Sequence, residues 1–313
     1  MAEVIIVGGG LTGMSAAWEL ERLKIPYRLI EVKRRLGGSI LTKRESGFVL
    51  DGAGFEHEQY GEWSFLAELG LSEADALIPI SKYRDGQIVM FRDGTQAVTD
   101  AIEKRLTAPI MLRMAVSSIG QMDACRFELC LENGLALNAR AVIVTAPARY
   151  AEHMLRTLSP QAALLLMDYQ YDPVVRVSLG YRADKTPDIP DGLPVKWIQR
   201  YSLPERAPAD HVLIRAGVRL DETIKTPDDA IRRVRALLAA SADPVVQWAY
   251  YWPEADSLSR ALPEHSEAMD AIDRLLPAGV VIAGSDYRAK RIDQQVEQGR
   301  AAARKIAETL KSV

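Results

Sequence analysis

A glycine-rich stretch followed by a carboxylate gives the N-terminal part of this chain the residue types that bind a dinucleotide. Three glycines, Gly8, Gly10 and Gly13, stand in the order G-x-G-x-x-G. The first permits a tight turn, the second lets the backbone approach a pyrophosphate, and the third lets a helix pack closely on a strand. Glu31 follows eighteen positions after Gly13, where a carboxylate can accept hydrogen bonds from both ribose hydroxyls.

These residues need a strand, a helix and a second strand to position them, and the hydrophobic pattern predicts all three. Residues 4–7 form an apolar run typical of a buried parallel strand, and residues 27–30 form another. Between them, residues 14–20 place apolar side chains at helical spacing. Leu11 and Thr12 open that helix, whose free N–H groups and partial positive charge face the phosphates. The stretch is therefore a complete βαβ nucleotide-binding unit.

The carboxylate of Glu31 also limits which dinucleotide binds. It would repel a 2′-phosphate, which disfavours NADP, whereas FAD and NAD both remain open on this evidence. Arg35 follows and can pair with a phosphate, while Gly37 and Gly38 can bring backbone amides close to it. Residues 47–57 then form a short strand that runs into another glycine-rich turn, which an NAD dehydrogenase does not need.

The composition is that of an ordinary globular protein. The chain has 313 residues, of which 48% are hydrophobic and 26% charged, and its net charge is −3. Its length allows one large domain or two of moderate size. The slightly acidic balance gives no support for nucleic-acid binding, and no apolar run approaches the ~20 residues of a membrane span. Since the first strand begins at Val4, there is no room for a signal peptide, and we expect a cytoplasmic protein.

These motifs together resemble the flavin-containing amine oxidase and protoporphyrinogen oxidase superfamily. Its N-terminal pattern runs from the dinucleotide fingerprint through acid-x-x-x-Arg-x-Gly-Gly to Asp-x-Gly. The matching residues here are Glu31, Arg35, Gly37, Gly38 and Asp51. The family usually has a glycine where this chain has Ala53, although Gly54 follows. The resemblance implies FAD, and because no cysteine stands near the flavin motif, we expect it to be held non-covalently.

Three later stretches extend the resemblance. Val116 matches the residue whose backbone meets the adenine, and the strand ending at Thr145 matches the return crossing between domains. Residues 280–286 match the second FAD motif, where Asp286 would hold the ribityl or pyrophosphate region. Residues 292–300 match the last helix, whose N-terminus would point at flavin N1 and C2=O. The residues thus assigned to the cofactor are Gly8, Gly10, Leu11, Thr12, Gly13, Glu31, Val32, Arg35, Gly37, Gly38, Ser39, Gly54, Phe55, Val116, Thr145, Trp248, Gly284, Asp286, Ile292 and Asp293.

The fold class that follows is α/β, with a Rossmann-type, GR2-like FAD-binding domain and a second α+β substrate domain. The FAD-binding domain is discontinuous and takes residues 1–58, 108–150 and 278–313. The substrate domain takes residues 59–107 and 151–277. Its predicted elements are strands over 169–182, 197–201, 211–219 and 245–252 and a helix over 226–240.

Three residues of the chain are candidates for catalysis: Arg176, His57 and Tyr250. Arg176 aligns with the family's catalytic lysine, and we expect its side chain to point toward flavin N5 and to favour anionic or neutral substrates over amines. His57 follows the glycine-rich turn and has a useful pKa, although a lone histidine is more often structural. Tyr250 shares a strand face with Trp248 and Trp252, which is either an aromatic pocket wall or a packed sheet face.

The resemblance implies an oxidoreductase in which FAD accepts a hydride from a C–N or C–C bond of a small organic substrate. The electrons then pass to O2 or another acceptor. Two features depart from the family. The large helical insertion has no counterpart between Gly86 and Gly94, and Arg291 replaces an aromatic-cage tyrosine. A renalase-like oxidase of NAD(P)H and a non-catalytic FAD-binding accessory protein are therefore kept as alternatives.

Overall fold

The computed structural model describes residues 2–312 of the chain and, for Ala2, the backbone alone. Within this range the strands are β1 (Ala2–Val7), β2 (Tyr27–Glu31), β3 (Thr42–Glu45), β4 (Phe48–Asp51), β5 (His57–Gln59), β6 (Leu77–Tyr83), β7 (Gly86–Phe91), β8 (Ile110–Leu112), β9 (Val116–Asp123), β10 (Arg126–Leu131), β11 (Ala136–Val144), β12 (Val175–Arg182), β13 (Trp197–Tyr201), β14 (His211–Val218), β15 (Val246–Tyr251) and β16 (Val280–Ile282). The helices are α1 (Leu11–Leu23), α2 (Ser64–Glu68), α3 (Glu73–Ala76), α4 (Gln96–Glu103), α5 (Ala148–Leu155), α6 (Pro160–Leu164), α7 (Pro227–Leu237), α8 (His265–Leu275) and α9 (Ile292–Lys311).

A central, mostly parallel sheet is assembled from three separate parts of the chain. Its parallel strands run in the order β8-β2-β1-β11, and β16 adds to the C-terminal half of β11. The N-terminal half of β11 pairs instead with β10, which continues antiparallel to β9. The C-terminal ends of β1, β2, β11 and β16 therefore meet at one edge, where ligands of open α/β sheets bind. This arrangement confirms the predicted Rossmann-type α/β class.

Helices cover both faces of this sheet because alternate side chains of each strand point to opposite faces. Val4 and Ile6 pack under α1, α4 and α9, whereas Ile5 and Val7 pack under α5, α6 and α8. Apolar side chains of residues 63–102 join the first of these clusters, although the sequence prediction assigns them to the substrate domain. The boundaries between the two domains stay a prediction.

The helices α1 and α9 lie in close contact at the centre of the first cluster. A Cβ on Gly299 would stand 2.2 Å from the Thr12 carbonyl oxygen, so only glycine fits at the crossing. Farther along, the buried Glu19 carboxylate accepts hydrogen bonds from Arg300 Nε at 3.0 Å and from an Arg304 nitrogen at 3.1 Å. The last helix is thus fixed to the first by a close backbone approach and by charge.

A second, antiparallel sheet has the order β13-β14-β12-β15 and is covered on one face by α7. The helix begins at a capping box formed by Thr226 and Asp229. The bounds of β13 are those predicted, but β12 begins at Val175, later than the predicted residue 169. Pro173 lacks an N–H group for a strand ladder, and Tyr171 makes only an isolated bridge to Ser257. The other face of this sheet, which we call the inner face, points toward β4 and the turn that follows it.

Candidate functional site

A cavity of about 690 Å³ opens at the edge where the parallel strands end. This volume lies in the range typical of cofactor sites. Many of the residues assigned to the cofactor line it, and so do residues that the sequence did not indicate. The lining residues from the predicted motifs are Gly8, Gly10, Leu11, Thr12, Glu31, Val32, Gly37, Gly38, Ser39, Val116, Thr145, Gly284 and Asp286.

Two glycine turns face each other across one end of this cavity. A Cβ on Gly38 would stand 3.0 Å from the Gly10 Cα, so side chains at these positions would occupy the space between the turns. Gly38 has a φ of +59°, in the left-handed region that favours glycine. Gly10 precedes α1 and has no side chain to cap the helix, whose first N–H groups stay free for an anion. The geometry fits a pyrophosphate.

The carboxylate of Glu31 is held in place beside these turns. Its Oε2 accepts a hydrogen bond from the Gly9 amide at 2.6 Å, and its Oε1 accepts one from the Lys33 amide at 2.7 Å. The side chain is buried but lines the cavity. Because each carboxylate oxygen has a second lone pair, both can also accept a hydroxyl proton. The fixed orientation suits the two hydroxyls of a ribose.

A second buried carboxylate, Asp286, also lines the cavity. Its Oδ2 accepts hydrogen bonds from the Ala148 amide at 2.9 Å and from the Tyr171 hydroxyl. Tyr169 donates to the Asp286 carbonyl oxygen at 2.5 Å. Burial raises the pKa of the Asp286 carboxyl above its ordinary value, and these hydrogen bonds oppose the shift. The carboxylate thus ties the strand edge to the segment that leads into the second sheet.

Part of the lining comes from residues that the sequence analysis did not assign to the cofactor. Tyr150 and His153 reach the cavity from α5, and Trp252 and Glu254 reach it from the loop after β15. The Tyr150 hydroxyl donates to Glu254 Oε1 at 2.9 Å. Across the opening, Lys33 Nζ lies 4.5 Å from the centre of a Trp252 ring, a cation–π contact. Of these four residues, only Trp252 had a signal in the sequence, as part of the predicted strand face that it shares with Trp248 and Tyr250.

Arg35, which was predicted to contact a phosphate, donates hydrogen bonds to carbonyl groups of its own turn. One terminal nitrogen of its guanidinium donates to the carbonyl oxygens of Leu36 and Ile40 at 2.7 and 2.8 Å, and the other donates to that of Gly38 at 2.9 Å. Arg35 does not line the cavity. Three of its five N–H donors are taken up by local carbonyl groups, and these hydrogen bonds hold the glycine turn in shape.

Several other residues predicted to contact the cofactor lie outside the lining of this cavity. Gly54 bonds through its carbonyl oxygen to Thr95 Oγ1 at 2.6 Å, and Phe55 is buried with Arg215 at 3.9 Å from its ring centre. Trp248 packs beside Tyr250, with 5.5 Å between ring centres. Their positions depend on packing against the second sheet, which a local motif does not specify. Gly13 also lies outside the lining, where it serves its predicted packing role.

The first turn of α9 differs from the prediction in a similar way. Ile292 is buried in the apolar cluster beneath the sheet, and Asp293 accepts two hydrogen bonds from Arg291 at 3.1 and 2.8 Å. Neither lines the cavity, whereas Gln295 does. The orientation of α9 thus places Gln295, and not Ile292, at the cavity.

His57 lies outside the lining of the cavity and is hydrogen-bonded to Thr95. Thr95 Oγ1 donates to the Gly54 carbonyl oxygen, so it must accept at 3.0 Å from His57 Nε2, which therefore has the proton. Burial lowers the pKa of His57 to about 4, so the ring is uncharged at neutral pH. If His57 takes part in catalysis, as predicted, only its Nδ1 is free to exchange a proton, because Nε2 is bonded to Thr95.

Tyr250 connects the second sheet to the first glycine-rich region. Its hydroxyl donates to the Ser39 carbonyl oxygen at 2.7 Å, and its ring lies where a Cβ on Gly52 would stand, 2.6 Å away. Burial raises the pKa of Tyr250 to about 12, so the phenol stays protonated. The residue packs against the turn that shapes the cavity and does not itself line it.

A buried ion pair supports the turn that carries these residues. Asp51 Oδ2 accepts from an Arg206 nitrogen at 2.6 Å, and neither side chain is exposed. Asp51 Oδ1 accepts from the Thr95 amide at 3.0 Å and from Thr42 Oγ1 at 2.5 Å. Arg215 donates to the Asp51 carbonyl oxygen at 2.6 Å. Asp51 therefore joins four separate segments of the chain.

The two cysteines, Cys125 and Cys130, are free and do not line the cavity. Among residues 2–312, no helix is long and apolar enough to cross a membrane. The same part of the chain holds no group of three or more histidine, cysteine, aspartate or glutamate side chains suited to a metal ion.

Sequence comparison connects this site to known proteins. Residues 6–65 match a model of NAD(P)-binding Rossmann-like domains. The chloroplastic protoporphyrinogen oxidase of Nicotiana tabacum is 27% identical over 202 residues, which cover 54% of this chain and 37% of that protein. Coproporphyrinogen III oxidase of Bacillus subtilis is 24% identical over 244 residues, covering 70% and 51%. The chain thus matches well under two thirds of the length of these curated relatives.

Solved structures share the fold at low sequence identity. A protein of Exiguobacterium sp. 255-15, provisionally named a protoporphyrinogen oxidase, superposes with a TM-score of 0.76 at 15% identity, covering 99% of both chains. Cyclohexylamine oxidase of Brevibacterium oxydans IH-35A gives 0.72 at 15% identity with the same coverage. Residues 71–307 match the model of the flavin containing amine oxidoreductases, and since this is more than half of the chain, the protein belongs to that flavin-dependent family.

Proposed function

We propose that the cavity binds FAD non-covalently and that the chain is an FAD-dependent oxidoreductase acting on a C–N or C–C bond of a small organic substrate. The observation that carries the proposal is the pair of facing glycine turns beside the fixed carboxylate of Glu31. This set of groups matches a pyrophosphate and the adjoining ribose. The family supplies the reaction class, with O2 or another acceptor taking the electrons.

The residues of the chain would bind and orient the cofactor. Glu31 would accept the two ribose hydroxyls, and the free N–H groups of α1 would face the pyrophosphate. Asp286 would accept a hydrogen bond from the ribityl region through its Oδ1, because Ala148 and Tyr171 both donate to Oδ2. When bound, the flavin supplies the capacity to accept a hydride, and the protein supplies position and electrostatics.

The first expected result concerns the cofactor itself. The purified protein is expected to be yellow, and heat should release one FAD per chain, because the glycine turns, Glu31 and Asp286 that would bind it all line the cavity. Chromatography of the released compound checks this. Release of NAD in place of FAD would refute the proposed function, and so would a cofactor-free protein that does not bind added FAD.

The second expected result concerns Glu31. Glu31→Ala removes an acceptor pair for the ribose hydroxyls and should weaken FAD binding by about 1–3 kcal/mol, the scale for hydrogen bonds to charged groups. Titration of the apo-protein with FAD measures the change. Glu103→Ala, on the exposed side of α4, is the control and should bind FAD as the parent does. If the parent and Glu31→Ala bound FAD with equal affinity, Glu31 would not bind the ribose hydroxyls.

The same preparation distinguishes the alternatives. Anaerobic mixing with amines, porphyrinogens and NAD(P)H shows which class of compound bleaches the flavin. Bleaching by NAD(P)H alone would favour a renalase-like oxidase. A bound flavin that no candidate reduces would favour a non-catalytic FAD-binding protein.

A further inference from the structure

The inner face of the second sheet presents two arginines where most sheet faces present apolar side chains. In the ladder, Arg176 on β12 stands opposite Gly217 on β14, and Arg215 stands opposite Ser178. The two arginines are therefore diagonal neighbours on one face, close enough for long side chains to meet. The opposite face of the same strands packs under α7 in the usual way.

Arg215 is fixed before any ligand arrives. It is 3% exposed, donates to the Asp51 carbonyl oxygen at 2.6 Å, and stacks on Phe55 at 3.9 Å. Burial lowers the pKa of Arg215 to about 10, with the charge of Arg176 as one further cause, so the group stays protonated at neutral pH. A charged guanidinium is thus held rigidly on the inner face.

Arg176 has donors to spare. Its Nη1 is buried and has no hydrogen-bond partner among the described residues, which is costly for a charged group. Its Nη2 makes only long contacts, 3.4 Å to each carboxylate oxygen of Asp256. Asp256 is about one third exposed and has a φ of +54° in the loop after β15. Asp256 therefore balances the charge of Arg176, but Arg176 still has N–H groups without a hydrogen-bond acceptor among the described residues.

The surroundings suit an organic anion with a flat part. The Trp197 indole lies over Gly217, where a Cβ would be 2.4 Å from Nε1. Trp197 and Arg176 flank Gly217 from the two neighbouring strands, and no side chain stands between them at that position. An open cleft of about 790 Å³, lined by Lys196 and Arg260 among others, reaches Asp256 from solvent. A route thus leads to the carboxylate that opposes Arg176.

We infer that Arg176, assisted by Arg215, binds the carboxylate of an organic acid substrate, and that Asp256 is an internal counter-ion which the substrate carboxylate displaces. The inference rests on the proposed function and names its substrate class. Arginine is suited to this role because its fork of donors matches the two oxygens of a carboxylate. A protonated amine would meet like charge here. The aromatic side chain of Trp197 would accommodate the non-ionic part.

The test is a titration of the flavin-loaded protein with benzoate, which cannot be oxidised, followed by calorimetry and by the flavin absorption spectrum. Benzylamine is the cationic counterpart. We expect benzoate to bind, and Arg176→Gln to weaken it by about 10- to 100-fold. We expect Asp256→Asn to strengthen it several-fold, because asparagine tolerates the left-handed backbone and removes the competing carboxylate.

Arg182→Gln is the matched control, since Arg182 lies on the same strand but is exposed and paired with Asp184. It should bind benzoate as the parent does. The inference would be overturned if benzoate bound more weakly to the Asp256→Asn variant than to the parent. It would also be overturned if the parent bound benzylamine more tightly than benzoate. Should Arg176→Gln fail to fold, the sign of the Asp256 effect still decides it. A protein that never holds flavin would refute the proposed function instead, and calorimetry would still report the benzoate affinity.

Discussion

Asp51→Ala is expected to lower the free energy of unfolding by about 3–5 kcal/mol, the usual cost of leaving one member of a buried ion pair without its partner. Arg206 would remain buried, with a single hydrogen bond at 2.6 Å from one terminal nitrogen to the Phe91 carbonyl oxygen. Its Nε already lacks a partner among the described residues. The Thr95 amide would lose its acceptor as well.

Urea denaturation followed by circular dichroism measures this loss. Asp93→Ala is the control, because Asp93 is exposed and contacts Arg44 at 3.5 Å, and it should cost less than about 0.5 kcal/mol. Asp51→Asn combined with Arg206→Met should cost less than Asp51→Ala, since neither charge is then left buried. If Asp51→Ala were as stable as the parent, the ion pair of Asp51 and Arg206 would not support the structure.

Gly13→Val is expected to be the most damaging glycine substitution in the cavity region. Its Cβ would stand 1.9 Å from the Gly8 carbonyl oxygen and 2.6 Å from Thr145 Oγ1, so the backbone of α1 would have to move. Overpacking that forces the backbone to shift typically costs about 1–3 kcal/mol and occasionally more, and we expect this variant at the upper end of that range. The shift would also displace the first turn of α1, and FAD affinity should fall with stability.

Gly120→Val provides the matched comparison, because a Cβ at Gly120 meets nothing within 4 Å and valine favours the strand β9. It should change stability by less than about 0.5 kcal/mol or raise it. Thermal unfolding of both variants, with and without FAD, measures the difference. Equal melting temperatures for the two valine variants would contradict the close approach of α1 and β1.

The parts of the fold that the sequence predicted are those with a local signal. Residues 4–31 combine an apolar strand run, a glycine turn and a helical period, and β1, α1 and β2 form there. The predicted bounds of Trp197–Tyr201 are those of β13, because residues that favour strands lie there between Pro194 and Pro204. The start of β12 was missed because the apolar signal continues across Tyr169 and Tyr171, which lie in the segment that binds Asp286.

The contacts that the sequence did not predict are those between distant segments. A motif shows that an arginine is present but not where its donors go, and those of Arg35 go to carbonyl groups beside it. Asp51 and Arg206 are 155 positions apart and share no spacing that links them. Tyr150 and Glu254 reach the cavity only because α5 and the loop after β15 pack there. Such residues need the assembled fold to be found.

The close crossing of α1 and α9 has a consequence for the order of events during synthesis. The face of α1 around Thr12 and Glu19 is covered by a helix that begins only at Ile292. At the usual rate of translation the ribosome needs roughly 15–60 s to connect the two. During that interval the nascent chain exposes an apolar helix face and a central sheet that lacks β16. The nucleotide-binding half can therefore complete its core only after most of the chain has been made, which is slow, long-range closure.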